Sequence, residues 1–359
     1  MRILIGVPSP DSWGGPAACE PPFAEALRAA GHQVKEVVYV HGDKVERASV
    51  IARFRRVLKT AEKLRTALKT ERFDIVHLNT SFDLKTILRD AYCIYRMPSG
   101  SHRIFLKMHG SDARSFKNAG PVLSRLIRYI ARRADAIGVL SSDERSDFIA
   151  LGFDESKIYR VLNVVELEGV YDRSPARRDA AALLFVSRLI PTKGVLETIN
   201  AAKILKDQNY SILLTVVGDG EIRRDAEALA SGLSMNDEIR FTGYVAESEV
   251  ARHMASSNIF VFPTRHMEGL PIALYKAAIA GLAIVTTPVR SARDLMSDGE
   301  NCLFCESEPT DIAAKIARLI GDARLMQSMA DNNRKFRETL SREKVAGEYL
   351  AMYSEMVTM

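Results

Sequence analysis

Arg188 and Lys193 lie five residues apart in LLFVSRLIPTKGVLETI, between a short apolar run and a helical pattern. Two cations beside a helix N-terminus suit a ligand with two or more negative charges, a diphosphate above all, because side-chain charge and amide N–H groups act together there. A solvated basic loop would carry the same pair without function, so the pair gains meaning only from its company. That company includes FPTRHMEGLPIALYKAAIAG, residues 262–281. Here Glu268 stands just ahead of a helix whose approach holds Gly269, Leu270 and Pro271. The first two can offer N–H groups to a phosphate, whereas proline cannot. Lys276 follows two helical turns after Glu268. His109 closes the run RIFLKM in the sequence HGSD, and a histidine at that place is a candidate contact for a ligand as well as a structural group. Gly14 and Gly15 follow the first apolar run and open a helix, which would let backbone approach a phosphate closely. The pattern is not G-x-G-x-x-G, and no acidic residue clearly closes the second run, so a dinucleotide cofactor is disfavoured.

These residues need elements that bring them to one edge. The runs RILIGV, HQVKEVVYV, DIVHLN, RIFLKMH and AIGVLS are short, rich in Val and Ile, and separated by helical stretches such as PPFAEALRAAG. In that helix Phe23, Ala26, Leu27 and Ala30 share a face and Gly31 ends it. After an irregular stretch near 166–178 the rhythm restarts with ALLFVSR, SILLTVVG, EIRFTGY, NIFVFP and LAIVTTP. Such alternation predicts parallel sheets covered by helices, and the restart predicts two α/β domains, 1–168 and 169–340. Doubly wound domains bind ligands at the carboxyl ends of their strands, which is where Arg188, Lys193, His109 and Glu268 fall.

A chain of 359 residues accommodates two such domains, and 47% hydrophobic with 26% charged residues excludes a disordered chain. The apolar runs hold about half a dozen residues, far from the roughly 20 that span a bilayer. The N-terminus enters a strand at once, with no secretory leader pattern. Cys19, Cys93, Cys302 and Cys305 are few and scattered. Cys302-x-x-Cys305 lacks the second ligand pair of a zinc site, so reduced thiols, no bound metal and a cytoplasmic location are expected. The net charge of +5 is uneven: residues 1–170 carry 27 Lys and Arg against 20 Asp and Glu, and the remainder 23 against 25. A basic front half and a near-neutral back half predict different partners for the two domains.

Nearly the whole chain resembles the retaining, nucleotide-sugar-dependent glycosyltransferases of the group 1 class, glycosyltransferase family 4. The motifs run in order: GGPAACEPPFAEALRAAGHQV, HGSD, RRADAIGVLSSDERSDFIALGFDESKIYRVLNVVE, LLFVSRLIPTKGV, VVGDGEIRR, RFTGYV, SSNIFVFPTRHMEGLPIAL and LMSDGENCLF. The resemblance implies a GT-B fold, two Rossmann-like doubly wound domains facing across a cleft, the first on the acceptor side and the second binding the donor. It implies that the last helix, 341–359, crosses back onto the first domain. Carried over, Arg188 and Lys193 would bind the donor diphosphate, and His109 and Glu268 the transferred sugar. The Gly14–Gly15 loop would close over the phosphate end, and Tyr244 and Val245 would lie near the base. No cofactor or metal is implied beyond the substrate, a UDP- or GDP-linked sugar. One position departs from the pattern. The family's E-x7-E has its second glutamate on the donor ribose, and eight residues after Glu268 this chain has Lys276. Positions eight apart on a helix differ by about 80° in heading. Lys276 could therefore bind ribose hydroxyls, reach the diphosphate or pair with Glu268.

The acceptor implied is a saccharide, lipid-linked or a polysaccharide precursor, at the cytoplasmic membrane face. VIARFRRVLKTAEKLRTALK sets Val50, Ile51, Phe54, Val57, Leu58, Ala61, Leu64 and Leu68 at helical spacing among seven basic residues. Core packing accounts for such a stripe. The excess of Arg and Lys adds a second reading, docking on an anionic membrane surface and peripheral location at the inner face of the plasma membrane. Nucleic acid is set aside, because no aromatic residues interleave the basic ones. Two other functions fit the same fold: a binding or scaffold protein that has lost turnover, and a nucleotide-sugar epimerase.

Overall fold

A computed structural model of the chain describes residues 1–10, 12, 14–40, 49–111, 113–167 and 180–358. They form two compact units, each a six-stranded, wholly parallel sheet with helices. The first unit comprises Met1–Val164, Met267–Leu270 and Leu340–Met359, and the second Val165–His266 and Pro271–Thr339. The expected division at 168/169 lies outside the described residues.

In the first unit the strands are β1 (Arg2–Pro8), β2 (Gln33–Val40), β3 (Ile75–Thr80), β4 (Arg103–Met108), β5 (Ala136–Val139) and β6 (Ile158–Arg160), in the order β2-β1-β3-β4-β5-β6. β1, β3, β4 and β5 are almost wholly buried, as expected for parallel strands covered on both faces. The second unit has β7 (Ala181–Val186), β8 (Ile212–Val217), β9 (Ile239–Gly243), β10 (Ile259–Phe262), β11 (Ala283–Thr286) and β12 (Leu303–Phe304). Its order, β12-β11-β10-β7-β8-β9, is that of a doubly wound dinucleotide-type sheet. β6 and β12 were not expected: three and two residues long, they carry too few positions for any periodicity to show.

Three helices bear on the site. The first runs Gly15–Ala29 and so begins six residues before PPFAEAL, with Gly14 as its N-cap and Pro21 and Pro22 inside it. Helix interiors usually exclude proline because it lacks the N–H for the i−4 bond, which is why the sequence pattern places the start too late. The last helix, Arg342–Thr358, packs on this first one within the first unit: the Tyr349 and Phe23 ring centroids lie 4.6 Å apart, and Arg342 pairs with Glu25 at 2.8 Å. Helix Val50–Thr70 splits its apolar stripe. Ala61, Leu64 and Ala67 are buried, whereas Val50, Ile51 and Phe54 are 81%, 65% and 63% exposed. The core-packing reading therefore holds for its second half only. Among the described residues no helix is long and apolar enough to cross a membrane.

Candidate functional site

In the second unit the site residues gather at β7 and β10, which pair in the sheet although two other strands separate them in sequence. Connections diverge at that point, and doubly wound sheets bind ligands there. Arg188 is exposed on the loop after β7. Lys193 ends the short turn Pro191–Lys193 and is 6% exposed, with Nζ 5.8 Å from the centroid of Phe262 at the end of β10. The Arg188 loop is pinned by backbone. Ser187 N donates to Val217 O at 3.1 Å, Leu189 N to Asp219 O at 2.9 Å, and Ile222 N to Leu189 O at 3.1 Å. A side chain on Gly218 (φ +133°) would place Cβ 1.9 Å from Ser187 O, so the turn after β8 can lie this close only as glycine. The sequence reading gave Gly218 no role. Its signal was there, a Gly-Asp-Gly directly after a strand.

Tyr244 is 60% exposed and Val245 half-buried on the connection from β9 to the helix Glu247–Ala255. Lys276 sits in the helix Ile272–Ile279 and is 8% exposed. Long helical side chains lean toward the N-terminus, which carries its ammonium back toward the carboxyl edge of the sheet. There Nζ donates to Oε2 of Glu247, a residue the sequence reading did not single out. The two positions are 29 residues apart, so no local spacing could have paired them.

In the first unit His109 belongs to a buried charge network. Glu20, from the first helix, and Lys107, from β4, have fully buried side chains and lie 2.6 Å apart. The other Glu20 oxygen accepts from Asn79 Nδ2 at 3.0 Å, and that amide also donates to Gly6 O at 2.8 Å. With its NH2 so engaged, Asn79 turns its oxygen to His109 Nε2 at 2.7 Å, and Glu20 Oε1 lies 3.3 Å from the same nitrogen. Two acceptors therefore fix the proton on Nε2 and leave the lone pair on Nδ1. Burial lowers the His109 pKa against the pull of Glu20, which keeps the ring neutral. Burial alone would raise the Glu20 carboxyl, but Lys107 and the His109 hydrogen bond outweigh it and hold it well below the usual range. The last helix closes this network. Lys107 Nζ lies 5.2 Å from the Phe23 centroid and 5.3 Å from that of Tyr349, and Tyr353 OH meets Nδ1 of buried His77 at 2.6 Å. Burial depresses His77 to about 3.

The loop after His109 is equally constrained. Glu144, fully buried, accepts from Ser111 N at 2.7 Å, Ser111 Oγ at 2.5 Å and Leu140 N at 2.8 Å. Gly110 (φ +80°) abuts Gly269 so closely that a Cβ on it would sit 2.9 Å from Gly269 N. This contact brings half-buried Glu268 and buried Gly269 and Leu270, which group with the first unit, beside the His109 loop. Asp112 of HGSD lies outside the described residues. Gly14 (φ +94°) caps the first helix and Gly15 begins it; Pro16 excepted, the N–H groups of that first turn have no partner within the helix.

Cys19, Glu20 and His109 offer ligand atoms within 4.8 Å of one another, enough for a metal ion by spacing alone. Their chemistry does not fit one. The Lys107 ammonium already neutralises Glu20, and burial pushes the Cys19 thiol far above its usual range, so it keeps its proton. Cys302 and Cys305 are free, buried thiols, each pushed up to about 12.

Two family models match in tandem: Glycosyltransferase Family 4 over residues 23–168 and Glycosyl transferases group 1 over residues 172–336. An uncharacterized glycosyltransferase of Methanocaldococcus jannaschii, MJ1069, is 28% identical over 301 residues, which are 79% of this chain and 76% of that protein. A GDP-mannose-dependent alpha-(1-6)-phosphatidylinositol monomannoside mannosyltransferase of Mycolicibacterium smegmatis is 24% identical over 64% of each chain. Among solved structures, HepE of Anabaena in complex with UDP-glucose superposes with a TM-score of 0.76 at 17% identity, covering 99% of this chain and 100% of that one. That likeness establishes the GT-B fold.

Proposed function

We propose that this chain, which belongs to the group 1 glycosyltransferases, moves a sugar from a UDP- or GDP-linked donor to an acceptor hydroxyl with retention and without a metal. In this reaction the anomeric C–O bond to the diphosphate breaks, a C–O bond to the acceptor oxygen forms on the same face, and the hydroxyl proton passes to the departing phosphate. Charge builds on the diphosphate as the sugar becomes oxocarbenium-like, so fixed cations and amides aimed there are the main lever on the barrier. Arg188 and Lys193 supply that charge, and the N–H groups of Gly269, Leu270 and the Gly14–Gly15 turn add dipoles. His109 and Glu268 contact the transferred sugar; neutral His109 offers it a lone-pair nitrogen. Tyr244 and Val245 lie at the base. The observation that carries the reading is Arg188, exposed at the switch point of a sheet of dinucleotide-binding order, on a loop that the Gly218 turn holds rigid.

The acceptor in this reading is a lipid-linked or polysaccharide precursor at the cytoplasmic membrane face. Its support is the first half of helix Val50–Thr70, where exposed Val50, Ile51, Phe54 and Leu58 stand among exposed Arg55 and Lys59. Apolar and basic groups together are what an anionic membrane surface attracts.

A thermal-melt screen of the whole protein across UDP-, GDP-, ADP- and TDP-sugars tests the donor. One nucleotide class should raise the melting temperature with concentration, because bound ligand stabilises by mass action. Insensitivity to all four would overturn the reading.

A further inference from the structure

The Lys276–Glu247 pair has a shape that a surface salt bridge does not need. Its lysine is 8% exposed, with a side chain 10% exposed, while the Glu247 side chain is 52% exposed. A long cation is thus sunk into the fold and holds a carboxylate whose other face meets solvent. Glu247 is the first residue of its helix, four residues after β9, so the carboxylate stands at the carboxyl edge of the second sheet. That helix packs on β7, and the helix of Lys276 packs on β10, the two strands of the switch point. Tyr244, 60% exposed, is three residues away on the same connection.

An acidic side chain at this edge of a doubly wound sheet is the usual acceptor for ribose hydroxyls, since a carboxylate can take two adjacent O–H groups and cannot donate. A carboxylate offers about four acceptor sites, more than one ammonium fills. A lysine in the same place has donors only. It would leave the hydroxyl protons of a vicinal diol unanswered.

We infer that Glu247 reads the ribose hydroxyls of the nucleoside diphosphate and that Lys276 positions its carboxylate, so that the acidic group expected at position 276 is supplied from the neighbouring helix. This rests on the donor reading above. It also fixes the sign of two variants. Glu247→Gln keeps the size of the side chain but replaces one oxygen with a donor. Lys276→Met keeps the buried stem and releases the carboxylate.

Calorimetric titration of the whole protein with UDP and GDP, each beside its 2′,3′-dideoxy form, which offers the carboxylate no ribose hydroxyl, tests this. The wild-type protein should bind one ribonucleotide about tenfold or more tighter than its dideoxy form, a difference of about 1.4 kcal/mol. Glu247→Gln should weaken the ribonucleotide by that factor and leave the dideoxy form unchanged, so that discrimination disappears. Lys276→Met should lose part of it. Because the dideoxy form reports on folding and on diphosphate binding, a general loss of affinity for both forms is a structural effect and overturns the assignment. Equal wild-type affinity for ribo and dideoxy forms also overturns it while leaving the donor reading intact. Binding of no nucleoside diphosphate would remove the donor reading and this inference together.

Discussion

The two units hold His109 and Arg188 in opposite ways. In the first, the groups around His109 are sunk and mutually neutralised: the Glu20 and Lys107 side chains are fully buried, and Asn79 and His77 are buried with them. In the second, Arg188 stands exposed on its loop, and what is rigid is the backbone beneath it, clamped to the Gly218 turn. The difference fits what each would hold in the proposed reaction. A diphosphate needs cationic charge that it can reach, whereas a sugar's hydroxyls need neutral donors and acceptors at fixed angles. Buried networks fix angles well, at the risk that breaking one member leaves another charge stranded.

The largest expected effect breaks the first unit at that weakness. Lys107→Met strands the Glu20 carboxylate in the core and should cost about 3–5 kcal/mol in urea unfolding. Adding Glu20→Gln should restore much of the loss, since a neutral pair leaves no buried charge. Full stability in the single variant would show that the pair is not what holds this core.

A pH titration sharpens the contrast. His77 is held near 3 by burial against an ordinary 6.5, so between those values the unfolded chain binds a proton that the folded one refuses. Stability from this group is complete above about 6.5 and is lost as pH falls, by up to about 1.4 kcal/mol per pH unit. Glu20, with its carboxyl held low, adds a loss of the same sign once the pH drops below 4.5. Hydrogen exchange resolved by peptide should therefore show the first unit opening at a higher pH than the second. Simultaneous opening, or the reverse order, would contradict the comparison.

The smallest effect concerns the surface of the first unit. The protein should co-sediment with anionic vesicles, release as salt rises, and lose this on charge reversal at Arg55, Arg56 and Lys59. Equal binding to neutral vesicles, or none to either, counts against the membrane reading.

Much of the fold was legible because parallel strands buried on both faces leave compact apolar runs, and ten of the twelve were read from them. The placement of the candidate residues was legible where a motif follows a strand, as with Arg188 and Lys193 after β7 and His109 after β4. The charge network was not, because Glu20, Asn79 and Lys107 come from three separate elements. A trace of it existed: lysine inside RIFLKM, a strand otherwise apolar after its first residue, requires a buried partner. The partner of Lys276 was illegible for the same reason, since helix periodicity gives a heading but not what another helix places opposite it.

Turnover of Arg188→Ala, measured as sugar transfer from the donor that stabilises the wild-type protein, tests the central claim most directly. Arg188 is exposed, so its loss should leave the unfolding free energy in urea within about 0.5 kcal/mol of wild type. Transfer should nevertheless fall on the order of a hundredfold or more, the cost of removing one charge contact to the transition state. Near-normal transfer by a folded Arg188→Ala protein would contradict the account, because the second unit's exposed cation would then not be what the departing diphosphate meets.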